Sequence, residues 1–154
     1  MTNHQSFSWA RLAHQAEGLL SVSSNRISNA ANLSALLYQE LVDISWVGFY
    51  FLDQDLLMVG PFQGKPACVS IELGEGVCGK AASSGKIIRV GDVEAFDGHI
   101  ACDADARSEI VAPLFKDGEL IGVLDIDSRA PDRFSEEDQS GLQAVVEAYL
   151  SSIK

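Results

Sequence analysis

The chain has 154 residues, of which 47% are hydrophobic, and a formal net charge of -11 at pH 7. This length and composition are typical of one compact domain with a sizeable core. The negative charge, unbroken by any Lys/Arg cluster, would repel a phosphate backbone or an anionic membrane surface, and no apolar run approaches the ~20 residues of a membrane span. We therefore expect no nucleic-acid partner and no membrane association. The sequence does not start with a basic segment and an apolar run, so we expect a cytoplasmic location.

The first part of the chain is predicted to be helical, and a sheet follows it. Apolar residues recur at helical spacing over residues 7–20 and again over about 24–42. Aromatic and β-branched residues then form "SWVGFYFLD" and "LLMVGPF", which flank a short turn and predict a hairpin. The stretch "PACVSIEL" predicts another short strand. It is followed by "GEGVCGKAASSGK", which predicts a loop and a short helix with Cys78 near its N-terminus, and by "IIRV", a further strand.

A long loop and a second hairpin are predicted next. The segment "GDVEAFDGHIACDADA" has no stable period and is typical of a functional loop, which here carries Cys102. Two strands, "EIVAPLFK" and "ELIGVLDID", flank Asp117-Gly118, the preferred dipeptide of a type I′ turn. A capping-box-like start at Ser135 and an apolar stripe then predict a C-terminal helix over about 135–151.

Together these elements predict a single α+β domain over residues 1–154, because the sequence shows neither an internal repeat nor a linker. The N-terminal helices occupy about 7–42, the sheet and its active-site loops about 45–130, and the C-terminal helix about 135–151. We expect a central antiparallel sheet with the helices packed on one of its faces.

Two carboxylates lie on a strand that offers them no obvious partner. Asp125 and Asp127 point to the same side of "ELIGVLDID", ~6.6 Å apart, and both faces of this strand are otherwise apolar. Because an uncompensated buried charge is costly, two acids there indicate a wet cavity or a cationic ligand. The alternative is a strand that frays into solvent at its C-terminal end.

The first predicted strand gives a second candidate surface. Its residues Trp46, Gly48, Tyr50 and Leu52 share one face, and a glycine between two large rings leaves room for a small apolar group. Core packing is the alternative reading for each ring.

The three cysteines, Cys68, Cys78 and Cys102, are candidate reactive thiols. An odd number in a chain without an export signal argues against a static disulfide framework, and their spacing fits no zinc pattern, so we expect no metal. From the residues alone Cys78 is the best nucleophile, because a helix N-terminus and the nearby Lys80 would stabilise its thiolate. Cys68 is typical of a buried strand residue. Cys102 lies among carboxylates, which disfavour a thiolate.

The chain closely resembles the stand-alone GAF-type free methionine-(R)-sulfoxide reductases. The resemblance rests on its three cysteines and on the stretches "SWVGFY", "LGEGVCGKAA", "HIACDADARSEIVAPL" and "LIGVLDIDS". The resemblance runs from about residue 45 to residue 134. It implies a GAF domain that reduces the sulfoxide of free, not peptide-bound, methionine in the R configuration at sulfur. It also implies no bound cofactor, an external dithiol such as thioredoxin as reductant and, together with the amphipathic N-terminal helices, a homodimer.

The resemblance also implies a role for each candidate residue. Cys102 attacks sulfur and becomes a sulfenic acid, Cys68 resolves it as a disulfide, and Cys78 is an auxiliary thiol that can exchange with the others. This order replaces the ranking made from the residues alone. Trp46 and Tyr50 would hold the methyl end of the substrate. The polar atoms of the substrate would be held by three acids, Glu109, Asp125 and Asp127.

Elementary chemistry explains why acids would be needed. A sulfoxide is a poor electrophile until its oxygen is protonated, so a carboxylic acid whose pKa is raised in a closed pocket would act as general acid. The remaining negative charge can pair with the ammonium of a free amino acid, so the substrate supplies the cation that the neighbourhood of Cys102 lacks. For the substrate carboxylate we hypothesise backbone N–H donors at Ile100, Ala101 and Cys102, arranged as an anion nest.

The position of Glu109 conflicts with a regular hairpin. A two-residue turn at residues 117–118 pairs Glu109 with Ile126, which places Glu109 on the face opposite to the two aspartates. We therefore predict either an odd-length turn or a bulge near Pro113, a residue that cannot donate to the ladder. A regular hairpin would remove Glu109 from the site.

Two other functions would use some of the same features. A GAF sensor would hold a cyclic nucleotide or another small molecule and report to an attached domain, but a strongly acidic pocket suits a phosphate poorly. A redox sensor would change conformation through its thiols without turnover, and it has no need of an acidic, aromatic pocket.

Overall fold

The computed structural model describes residues 6–100, 102 and 104–154. The helices of this part are α1 (Trp9–Leu20), α2 (Arg26–Glu40), α3 (Gly76–Ser84) and α4 (Glu136–Ser152), with a short 3-10 helix at Val93–Ala95. The strands are β1 (Trp46–Asp53), β2 (Leu56–Gln63), β3 (Ser70–Glu72), β4 (Ile88–Val90), β5 (Ser108–Lys116) and β6 (Glu119–Ser128). They form one antiparallel sheet in the order β3-β2-β1-β6-β5-β4. The predicted α+β class is confirmed. Within the described residues, no helix has the length and apolar character needed to cross a bilayer.

Side-chain caps explain where the long helices begin. The Asn25 side chain accepts hydrogen bonds from the backbone N–H groups of Ile27 and Ser28, so α2 begins at Arg26. At the other end of the chain, Ser135 and Asp138 form the predicted capping box ahead of α4. Such caps satisfy N–H groups that the first turn of a helix leaves without partners.

The sheet has helices on both faces, with different roles. The long helices α1, α2 and α4 pack on one face, as expected, and bury the main apolar core there. The short helix α3 lies on the opposite face, against β5 and β6. Alternation along β6 separates the two environments, because Leu124 and Ile126 face the long helices while Val123 faces α3. The face under α3 is the one that carries Asp125 and Asp127.

A bulge in the β5–β6 hairpin resolves the position of Glu109. The turn has two residues, Asp117 and Gly118, both with positive φ as a type I′ turn requires. The pairing then shifts between Phe115 opposite Leu120 and Leu114 opposite Gly122, which leaves Ile121 as an extra residue of β6. The predicted bulge is therefore confirmed, and the extra residue belongs to β6 rather than to the strand of Pro113.

The bulge changes which residues share a face. Beyond it, Glu109 pairs with Asp127 and Val111 pairs with Asp125, so all three acids project to the α3 side. Ile121 instead packs with the core under the long helices, which simple alternation did not predict. At the neighbouring Gly122 a Cβ atom would collide with the carbonyl oxygen of Tyr50 on β1, so this glycine lets the two strands approach closely at the bulge.

Candidate active site

A cavity of about 270 Å³ lies between α3, the sheet and the loops that follow β2 and the 3-10 helix. Its walls combine aromatic rings, thiols and acids. The sequence-predicted residues that line it are Trp46, Tyr50, Cys78, Ile100, Cys102, Glu109, Asp125 and Asp127. The fold therefore brings side chains from β1, α3, β5, β6 and the loop before β5 to one place.

Cys68 and Cys102 form a disulfide at this cavity. Their Cα atoms are 5.4 Å apart, although 34 positions separate them in the chain. Cys68 is half-buried in the loop between β2 and β3, so the expectation of a buried strand residue is wrong. The reason is that β2 ends at Gln63 and β3 begins only at Ser70, which leaves Cys68 in the connecting loop. The hydroxyl of Tyr50 donates a hydrogen bond of 3.0 Å to the Cys68 carbonyl and holds this loop against the cavity wall.

Cys78 is a buried thiol near the start of α3. The helix packs closely on the turn before it, because a Cβ at Gly79 would come within 2.5 Å of the Glu72 carbonyl oxygen. The Cys78 Sγ lies 4.0 Å from Oε2 of Glu109. Burial raises the pKa of the Cys78 thiol, and the nearby carboxylates of Asp125 and Glu109 raise it further.

Lys80 does not supply the positive neighbour that the sequence suggested for Cys78. Its ammonium donates to the carbonyl of Asp97, at 2.5 Å, and lies over the ring of Phe96. The surroundings of Cys78 are therefore acidic and apolar, which keeps sulfur in its thiol form.

The acid cluster, which we define as Glu109, Asp125 and Asp127, forms the floor of the cavity. The three side chains are 7%, 5% and 9% exposed, so the alternative of a strand fraying into solvent is excluded. Burial raises the pKa of Glu109, and the neighbouring Asp125 raises it further. Burial likewise raises the pKa of Asp125, with Asp127 as the second cause. Because burial and mutual proximity raise the pKa of both Glu109 and Asp125, this pair retains a proton more readily than exposed carboxyl groups do.

One oxygen of the acid cluster lacks a partner. Within the described part of the chain, Oδ1 of Asp125 is buried and accepts no hydrogen bond. A buried acceptor without a donor is destabilising, and it is satisfied if a ligand in the cavity supplies an N–H or O–H group. The floor of the cavity can therefore both donate a proton and accept a hydrogen bond.

Two aromatic rings of β1 form one wall. Trp46 and Tyr50 have ring centroids 5.9 Å apart, and both rings are buried. The slot expected beside Gly48 is absent, because Phe62 of β2 stacks on Trp46 at 5.2 Å and its Cα lies 2.9 Å from where a Gly48 Cβ would be. An apolar group of a ligand would meet the rings from the cavity side instead.

The loop before β5 carries the three backbone donors proposed from the sequence. Ile100 lines the cavity and approaches the start of α3 at Gly76. The N–H of Cys102 donates to the carbonyl of Ile100 at 3.0 Å, so in this disulfide form it does not point to an anion. Ala101 lies outside the described residues, so its role as a donor stays a prediction.

Two basic residues of the wall were missed by the sequence analysis. Lys65 and His99 both line the cavity. Burial lowers the pKa of His99, so its ring is neutral at pH 7. Lys65 was findable in principle, because it lies three residues before Cys68 in "QGKPAC".

Three side chains of the cavity, those of Cys78, Glu109 and Asp125, are of the kinds that bind metal ions. One ligand atom each from Cys78, Glu109 and Asp125 lies within 4.8 Å of the others. All three groups have raised pKa values, so a cation would have to displace protons from a buried thiol and from the shared carboxyl pair. The arrangement suits proton donation better than metal binding, and the absence of a metal cofactor stays a prediction.

Comparisons with known proteins identify the family. The GAF domain family model matches residues 30–153. Over 138 residues the chain is 50% identical to the free methionine-R-sulfoxide reductase of Escherichia coli strain K12, with 90% of this chain and 84% of that protein covered.

Two solved structures are similar over nearly the whole length of the chain. The reduced form of fRMsr from Staphylococcus aureus is 47% identical with a TM-score of 0.94, and both chains are covered to 100%. The free methionine-R-sulfoxide reductase of Neisseria meningitidis in complex with its substrate is 40% identical with a TM-score of 0.92, and 97% of this chain and 93% of that chain are covered. The chain therefore belongs to the GAF domain family, in the group that contains the free methionine-R-sulfoxide reductases.

Proposed function

We propose that the protein reduces free methionine-R-sulfoxide to methionine with its own thiols. The observation that carries the proposal is a disulfide between Cys68 and Cys102 at the edge of a cavity whose floor is the acid cluster. The activity named for the Escherichia coli and Neisseria meningitidis relatives supports the same reaction.

The first chemical step uses a proton from the acid cluster. The carboxyl proton shared by Glu109 and Asp125 is donated to the sulfoxide oxygen, which makes sulfur electrophilic. The Cys102 sulfur attacks it and its thiol proton returns to the deprotonated acid cluster, the sulfur–oxygen bond of the substrate breaks, and oxygen is transferred to Cys102 as a sulfenic acid. Methionine leaves with its sulfur reduced by two electrons.

The second step forms the disulfide. The thiol of Cys68 attacks the sulfenic sulfur of Cys102, and water leaves with the transferred oxygen. The short distance between the Cα atoms of the two residues supports this pairing. An external dithiol, for which we propose thioredoxin, then reduces the disulfide by exchange and is itself oxidised. No bound cofactor enters this cycle.

Cys78 has an auxiliary role in this scheme. Its raised pKa makes it a poor nucleophile at neutral pH, so we assign it neither the attack on sulfoxide nor the first resolution step. It lines the same cavity as Cys102 and can exchange with the disulfide once the loop before β5 moves.

Selectivity for the free amino acid follows from charge. A free amino acid carries an ammonium group, which a methionine residue inside a peptide lacks. Oδ1 of Asp125 is a buried acceptor that an ammonium would satisfy. The rings of Trp46 and Tyr50 provide an apolar wall for the methyl end.

We also propose a cytoplasmic location and a homodimer. The exposed apolar residues Leu19, Val22 and Ile27 lie at the adjoining ends of α1 and α2 and support pairing through the N-terminal helices.

A thioredoxin-coupled assay tests the function. The wild-type protein and Cys102→Ser are given the R form and the S form of free methionine sulfoxide and an N-acetylated R form. We expect turnover of the free R form by the wild type alone. Loss of thiols without turnover would favour the redox sensor, and equal activity on the acetylated compound would remove the argument from ammonium pairing.

A further inference from the structure

The cavity wall carries one positive group that the proposed chemistry has not used. Among the described residues that line the cavity, the charged ones are Lys65, Glu75, Asp105 and the acid cluster. Lys65 is the cation of this set, since His99 is neutral. The substrate is a zwitterion, and the other ionisable groups of this set are acids, which cannot offer its carboxylate a positive charge.

The backbone of Lys65 is fixed against the aromatic wall. The indole N–H of Trp46 donates a hydrogen bond of 3.1 Å to the Lys65 carbonyl. The preceding Gly64 has a φ of 130°, and a Cβ there would lie 2.7 Å from Cδ1 of Trp46. The segment is therefore held close to the ring by a conformation that suits glycine.

Trp46 also links Lys65 to the acid cluster. In the sheet Trp46 pairs directly with Asp127. Trp46 thus contacts the backbone of Lys65 with its indole, while its main chain lies opposite Asp127 in the neighbouring strand. An α-amino acid carries its ammonium and its carboxylate on one carbon atom, so its binding site needs an acid and a cation close together.

The side chain of Lys65 is available for a ligand. It is 64% exposed, and its Nζ lies 3.5 Å from Oδ2 of Asp105. An exposed ion pair of this kind contributes little to stability, so a ligand carboxylate can replace it at small cost. Asp105 keeps a second cationic partner, since Nη2 of Arg129 is 3.9 Å from the same oxygen.

We infer that Lys65 forms the carboxylate subsite of this active site, where its ammonium binds the α-carboxylate of the substrate while the acid cluster holds the ammonium. The inference rests on the proposed function. It adds a second requirement to substrate recognition: the protein selects a free carboxylate as well as a free amine. The backbone N–H groups proposed from the sequence carry no net charge, so they would still leave the lysine to offset the carboxylate charge.

The test compares two substrates in single turnovers of the reduced protein, which need no external reductant. The substrates are L-methionine-R-sulfoxide and its carboxamide, which retains the ammonium but lacks the negative charge. The variants are Lys65→Met, which removes the charge at similar length, and Lys65→Arg, which keeps it. Lys86→Met, at an exposed lysine outside the cavity, is the matched control.

We expect the wild type and Lys86→Met to prefer the free acid over the carboxamide. Lys65→Met should raise the half-saturating concentration of the free acid about tenfold and leave the rate at saturation unchanged. A tenfold loss of affinity is what we expect when one partly exposed charge-assisted hydrogen bond is removed. Its preference for the acid should disappear, and Lys65→Arg should restore most of it.

If the wild type is active and Lys65→Met keeps the wild-type preference for the free acid over the carboxamide, the inference about Lys65 is overturned while the proposed function stands. A wild type that reduces neither compound would overturn the proposed function, and this inference with it.

Discussion

Replacing Asp125 with asparagine should stabilise the protein and inactivate it. Asp125 is 5% exposed, its Oδ1 accepts no hydrogen bond within the described part of the chain, and Asp127 lies beside it. An asparagine of the same shape removes the buried acid and can donate its amide hydrogens to Glu109. The amide needs no bound proton to donate at neutral pH, and a hydrogen bond to a buried carboxylate contributes about 1–3 kcal/mol, so we expect a gain of about 1–2 kcal/mol in the free energy of unfolding at pH 7.

The gain should depend on pH in a defined direction. Folding raises the pKa of Asp125, so the folded protein holds this proton more tightly than the unfolded chain does. The wild type therefore loses stability as the pH rises from the unfolded pKa, about 4, toward the raised folded pKa. The variant has no such proton, so its advantage should be small below pH 4 and should grow above it.

Urea unfolding and thermal unfolding measure the expected gain in stability. For a chain of this size, a gain of about 1–2 kcal/mol corresponds to a rise of about 2–8 °C in Tm. Single turnovers on free methionine-R-sulfoxide measure the second effect, and loss of a proton donor and ammonium partner should lower kcat/KM by about 10²–10⁴-fold. Asp117→Asn is the matched control, because this residue is exposed in a turn that accepts asparagine and both quantities should stay at wild-type values. A variant that is less stable than the wild type, or one that keeps full activity, would refute this account of the acid cluster.

The disulfide, the buried thiol and the bulge can each be tested by one variant or one reagent. Cys68→Ser should release one methionine per protein and then stop, because no resolving thiol forms the disulfide; continued fast turnover in the coupled assay would contradict the pairing with Cys102. In the oxidised folded protein Cys78 should react with iodoacetamide far more slowly at pH 7 than after unfolding in urea, because its thiol is buried and its pKa is raised. Mass spectrometry of the alkylated protein measures the two rates, and equal rates would refute this prediction. Gly122→Ala should destabilise the protein by about 2 kcal/mol or more in urea unfolding, because the added Cβ collides with the Tyr50 carbonyl; a neutral result would show that the bulge relaxes freely.

The sequence was sufficient to predict most of the architecture. Period-two alternation correctly placed Asp125 and Asp127 on one face of a buried strand, and the Asp-Gly dipeptide correctly predicted a two-residue turn. The capping residues of α4 were equally clear. Each of these features depends on neighbours a few positions apart, which a single sequence shows directly.

Features that depend on distant contacts were predicted less well. The conflict over Glu109 predicted either an odd-length turn or a bulge near Pro113, but the choice of a bulge at Ile121 depends on how Gly122 packs on Tyr50 of another strand. The environment of Cys78 was predicted from Lys80, two positions away, whereas the acids of β5 and β6 determine it. The space predicted beside Gly48 is occupied by Phe62, a residue of the paired strand.

The central claim, that a free zwitterion is held by the acid cluster with its sulfur against Cys102, is tested most directly by one stoichiometric experiment. Fully reduced protein is mixed with excess free methionine-R-sulfoxide without any reductant, and methionine and remaining thiols are counted together. We predict one methionine per chain, the loss of two thiols as a Cys68–Cys102 disulfide, and a free Cys78, with no product from the N-acetylated compound. Thiol loss without methionine, or equal product from the acetylated compound, would contradict the claim.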